Sequence, residues 1–145
     1  MPTATNHEAH NCIQSLFDTL IDIGEGYDVL LERAEPAARA SIKILATLHR
    51  TAIDKIDALA AEQGFELDHS GTLMSEVHKA AVKLRDLFSD IDRNALEAIV
   101  DGEENVIKRY DDAIRCLSPD NPLHRELIAQ RDALRIEMTK IFEVS

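Results

Sequence analysis

Apolar residues recur at steps of three and four along most of the chain, the spacing that lines one face of an α-helix. From about His7 to Arg33 the stripe reads Ile13, Leu16, Leu20, Ile23, Tyr27 and Leu30. Glu35-Pro36 interrupts it, and Pro36 suits the first turn of a new helix, where its missing N–H is not needed. That second helix is predicted over about 37–63. Its stripe is Ala38, Ile42, Leu45, His49, Ala52, Ile56 and Leu59, and Gly64 stands where a helix ends. A polar connection from Gly64 to Gly71 follows. A shorter helix is predicted over about 73–90, capped by Thr72 and carrying Val77, Ala81, Leu84 and Phe88. Asn94 with Glu97 three residues on resembles a capping box and opens a helix over about 94–117. Leu96, Ile99, Glu103, Val106, Tyr110, Ala113 and Leu117 are in register on it. Ser118-Pro-Asp-Asn-Pro122 is a tight turn, with Asn121 as cap and Pro122 as first helical residue. The last helix is predicted over about 122–144, with Leu127, Arg131, Leu134 or Arg135, Met138 and Phe142 on its stripe.

Short turns make antiparallel neighbours, so the pattern predicts two long hairpins. The connection between them is long enough to travel the length of a bundle at ~1.5 Å per helical residue. The expected fold is therefore all-α: a ferritin-like four-helix bundle with one long crossover carrying an extra shorter helix, rather than a plain up-down-up-down bundle.

Composition narrows this picture without changing it. The chain has 145 residues, enough for one domain (1–145) and too few for two. With 5 Gly, 4 Pro and no Trp it lacks the turn formers and aromatics of a β-sandwich. Asp and Glu number 27 against 16 Lys and Arg, a formal net charge of −11, which argues against nucleic-acid or anionic-membrane partners. Nothing at the N-terminus resembles a signal peptide, and no run approaches the ~18 apolar residues of a spanning helix. A cytoplasmic protein is expected. Cys12 and Cys116 are too far apart in sequence for a Cys-x-x-Cys motif and are read as two reduced thiols on helix flanks. Both fall near the same end of the expected bundle, so redox thiols at Cys12 and Cys116 stay open as an alternative.

Charged residues are seldom buried without a partner, so polar residues on the stripes are the informative ones. His49, Glu103 and Arg131 each interrupt a stripe, with Arg135 one turn beyond Arg131. Counted from the end that holds the first turn, they lie roughly 13, 10 and 13 residues deep, within about 5 Å of one level. The expected result is a buried polar cluster of His49, Glu103, Arg131, Arg135, Tyr27 and Tyr110. Its centre is a Glu103–Arg131 ion pair with a neutral His49, and the tyrosine hydroxyls take up neighbouring polar groups. No cofactor is expected. The alternative is iron or another transition metal held by His49 and Glu103.

A ferritin-like dinuclear centre draws a Glu from each of two helices and a Glu-x-x-His from each of the other two. Here the one Glu-x-x-His, Glu66 to His69, falls in a predicted loop, and Ala46 stands three residues before His49. Arg131 offers no lone pair. His7 and His10 are one turn apart near the N-terminus and could take up stray metal. Asp18, Asp22 and Glu25 are read as solvated surface, as are Asp101, Glu104 and Asp111-Asp112. His78 and His124 are placed on stripe margins. There is no Gly-rich phosphate loop, nucleophile elbow or Ser/His/Asp signature.

Asp22-Ile-Gly-Glu-Gly-Tyr27 resembles the Asp-Gly-x-x-Gly-Tyr/Phe signature of a bacterial ferritin-like four-helix-bundle family of unknown function. Leu48-His49-Arg50, and Gly102-Glu103-Glu104 followed by Tyr110, fit the same pattern, which covers about Asn11 to Phe142. Ile23 departs from it where the family often has Gly. The resemblance implies a bundle related in fold to rubrerythrins and ferritins, and carries no activity with it. The reading is thus a non-enzymatic interaction or stress-associated protein with an unknown protein partner. Ile44 and Leu48, off the main stripe, face either the short helix or a second subunit of a homodimer. The alternatives are a metal-binding or diiron-type redox protein and a thiol-based redox sensor.

Overall fold

A computed structural model of the chain describes residues 6–32, 36–69 and 93–143. Within them lie four helices: α1 (Asn6–Leu31), α2 (Pro36–Glu62), α3 (Arg93–Cys116) and α4 (Pro122–Glu143). The short helix expected over 73–90, with its cap Thr72 and with His78, lies outside the described residues.

The helix ends follow from local chemistry. Pro36 opens α2. At the other end Gly64 adopts φ +80°, and the Phe65 N–H returns to the Ala60 carbonyl at 2.9 Å, satisfying a carbonyl that the helix leaves free. Asn121 caps α4: its Oδ1 accepts the Leu123 N–H at 2.9 Å.

The four stripes meet in one core. Ile13, Leu16, Phe17 and Leu20 of α1 pack with Ile42, Leu45 and Ile56 of α2, Val106 and Ala113 of α3, and Leu123, Leu127 and Leu134 of α4. Helix α1 contacts α2 and α3, and α4 contacts the same two helices. Neighbours run antiparallel. Cys12 meets Cys116 and Ile23 lies beside Gly102, so α1 and α3 run in opposite directions. Ala52 pairs with Gln130 and Lys55 with Glu126, so α2 and α4 do too. Helices α2 and α3 are therefore parallel across a diagonal, and α2 ends at the opposite end of the bundle from where α3 begins.

Beyond α2, residues 64–69 turn back along α1. Leu67 is buried, and the Phe65 ring stacks on His10 at 5.8 Å between centroids. Gln14 holds Asp68 by two bonds: its Oε1 accepts the Asp68 N–H at 2.8 Å and its Nε2 donates to the Asp68 carbonyl at 2.9 Å. One side-chain amide thus satisfies both backbone groups of a residue in no regular element. His69 packs edge-on against Phe17 and lies 3.1 Å from Asp57 of α2.

Candidate functional site

Among the described residues, two polar side chains are buried with the core, His49 at 1 % exposure and Glu103 at 0 %. They come from the diagonal helices α2 and α3 and meet in the bundle interior. His49 Nε2 lies 2.8 and 2.9 Å from the two carboxylate oxygens of Glu103. An imidazole N–H shared between both carboxylate oxygens accounts for that symmetry.

Two tyrosines flank the pair. The Tyr27 ring of α1 stacks on the His49 imidazole, 6.2 Å between centroids and 21° between planes. The Tyr27 hydroxyl is buried beside the Glu103 carboxylate, without a hydrogen bond of full geometry to it. Burial, and then the nearby Glu103 carboxylate, push its pKa well above the ordinary phenol value. The Tyr110 hydroxyl instead donates to Gln130 Oε1 of α4 at 2.9 Å. Its pKa is raised as well, first by burial and then by Glu103 and Glu126. Gln130 completes a short chain by donating to the Ala52 carbonyl of α2 at 3.5 Å.

These contacts set the two tyrosines apart in a measurable way. Tyr110→Phe strands the Gln130 oxygen and is expected to lower the unfolding free energy by about 1–2 kcal/mol. Tyr27→Phe removes a hydroxyl that lies beside Glu103 without a bond of full geometry, and should cost less, about 1 kcal/mol or under. Denaturant titration of both variants checks this. A larger loss for Tyr27→Phe would refute the assignment of partners.

Arg131 and Arg135 stand outside the cluster, contrary to the expected Glu103–Arg131 ion pair. Arg131 donates from Nη1 to Asp111 Oδ1 at 2.8 Å and also bonds Asp132. The bond to Asp111 is the first cause of its raised pKa. Arg135 is half exposed, 4.0 Å from Asp111 and 3.9 Å from Asp132. The reason lies one residue back. Gln130 and Arg131 both fit the α4 stripe between Leu127 and Leu134. The amide turns inward to Tyr110, and the guanidinium, costlier to dehydrate, reaches the bundle edge where Asp111 waits.

Cys12 and Cys116 form a disulfide with a Cα–Cα separation of 6.5 Å, which corrects their reading as two reduced thiols. It ties the first turns of α1 to the last turn of α3. The remaining candidates scatter. His10 donates from Nε2 to the Glu66 carbonyl at 2.8 Å, and His7 is exposed. Asp18 is drawn partly inward, and burial raises its pKa despite the bond it accepts from Gln14. Glu66 and His69 lie in the non-helical segment after α2.

A cleft of about 170 Å³ opens between α2 and α4, with His49, Tyr110 and Gln130 among its lining residues. It is smaller than the ~300 Å³ or more of ordinary small-molecule sites. Among the described residues no three His, Cys, Asp or Glu side chains gather around one point suited to a metal ion. Their donor set therefore does not fit the dinuclear centre that the ferritin-like resemblance brings to mind. No helix among the described residues is long and apolar enough to cross a membrane.

A family profile described as Domain of unknown function (DUF2383) matches residues 8–116. That span takes in α1, α2 and α3, with Tyr27, His49, Glu103 and both cysteines. No curated protein and no solved structure matches the chain.

Proposed function

The chain belongs to the DUF2383 domain family, and on that premise we propose that it is a non-enzymatic bundle of ferritin-like topology that acts through protein interaction. The observation that carries this reading is the His49–Glu103 pair, in which the imidazole Nε2 and both carboxylate oxygens are engaged with each other in the interior. The parallel diagonal of α2 and α3 supports the topology. A second copy of the chain is the proposed partner. Ile44 of α2 and Ile136 of α4 are 47 % and 56 % exposed, and the antiparallel pairing of Ala52 with Gln130 and Lys55 with Glu126 puts them at about the same level on adjacent helices. One tag-free preparation tests both parts. We expect a dimer at sedimentation equilibrium, and no stoichiometric metal in the wild type or in His49→Ala and Glu103→Ala. Metal bound at one per chain and lost in both variants would replace this reading with a mononuclear metal site. A monomer would remove the dimer.

The Cys12–Cys116 disulfide favours a second reading, a redox-responsive bundle. The cytoplasmic placement remains part of the proposal, and disulfides in that compartment are typically transient and redox-sensing. A fall in stability on reduction is its measure.

A further inference from the structure

We infer that the Cys12–Cys116 disulfide controls the docking of residues 64–69 on α1, so that reducing it loosens this segment together with the first turns of that helix. The inference rests on the redox reading above and specifies what the redox state would regulate.

The argument begins with angular position. At 100° per residue, His10, Gln14 and Phe17 share one flank of α1, and Cys12 lies on nearly the opposite flank. The first flank holds the returning segment. His10 bonds the Glu66 carbonyl and stacks on Phe65, Gln14 clamps Asp68, and Phe17 meets the His69 ring. The second flank is tied covalently to α3. The start of α1 is therefore held from two sides.

Its buried apolar anchorage is small. Before Gln14, Ala9 and Ile13 are the buried apolar residues of α1, and His7, Glu8 and Asn11 are exposed. Helix ends with little buried apolar surface open locally at small cost. Without the bond to Cys116, these turns gain freedom to fray. Fraying displaces His10 and Gln14, the two residues that hold the Glu66 and Asp68 backbone.

The redox step balances with a dithiol as reductant. The dithiol gives up two electrons and two protons and closes to its own disulfide. The Cys12–Cys116 S–S bond breaks, and each sulfur takes up one electron and one proton. Both cysteines are half-buried rather than sealed in the core.

Short-time amide hydrogen exchange on the full chain, oxidised and then reduced with dithiothreitol, tests the inference. Only locally opened segments exchange in that window. Reduction should speed exchange in residues 6–14 and 64–69 together by about tenfold, with Leu127 and Leu134 still protected. Cys116→Ser should behave as the reduced protein does, with or without reductant. Gln14→Ala, with the disulfide intact, should speed exchange at Asp68 and leave residues 6–12 unchanged. Faster exchange in 6–14 with none in 64–69 would overturn the coupling. So would exchange at Leu127 and Leu134 speeded as much as in 64–69 within the same short window, because the opening would then be that of the whole bundle. Two free thiols in the oxidised sample would overturn the redox reading itself.

Discussion

Replacing His49 with alanine should remove about 3–5 kcal/mol of stability, among the largest effects of any single substitution in this chain. The Glu103 carboxylate is fully buried, with Tyr27 and Tyr110 close enough for it to raise their pKa values, while Arg131 is bonded elsewhere. Without the imidazole the carboxylate must stay charged in the core or take up a proton, and either costs free energy. Glu103→Ala should cost less, about 1–3 kcal/mol, because it strands a single ring nitrogen rather than a carboxylate. The double variant should cost less than the sum of the two, since each single change strands the other's partner. For a chain of this size the larger loss corresponds to a fall of roughly 10 °C in Tm. Thermal and denaturant unfolding of the three variants supplies the cycle. Additive losses, or a change under about 1 kcal/mol for His49→Ala, would show that the pair contributes nothing specific.

Reduction of the disulfide is the second large effect expected. Cys12 and Cys116 are 104 residues apart in sequence, so the bond closes most of the chain into one loop. A chain-entropy estimate for a loop of this length gives about 4–5 kcal/mol, released by constraining the unfolded state. Against a typical domain stability of about 5–15 kcal/mol this is roughly a quarter of the total or more. The denaturation midpoint should therefore fall sharply when a dithiol is added. Cys12→Ser with Cys116→Ser should match the reduced protein and ignore the reductant. Equal midpoints with and without reductant would remove the disulfide from any account of stability or sensing.

The helices were legible because their punctuation carries backbone requirements. Pro36, Gly64, Asn121 and Pro122 each suit one place at a helix end, and each stands at or just beyond one. The meeting of His49 with Glu103 was within reach of depth counting, since rise per residue fixes level along a bundle. Lateral position was not within reach. Gln130 and Arg131 differ by one 100° step on the same stripe, and only the presence of Tyr110 on one side and Asp111 on the other decides which turns inward. The cysteines show the same limit: a shared end does not establish a 6.5 Å approach. Gln14 carried no pattern at all, because its partner is the backbone of a loop residue 54 positions away.

The diagonal pairing of α1 with α4 also bears on engineering. Both helices run the same way, so the start of α1 and the end of α4 lie at opposite poles of the molecule. With α4 spanning 22 residues, the gap is on the order of 30 Å. A circular permutant would need a linker of roughly ten extended residues or more to bridge it. Conversely, reporters attached at the start of α1 and the end of α4 would sit a bundle length apart, well placed to register a change along the bundle axis.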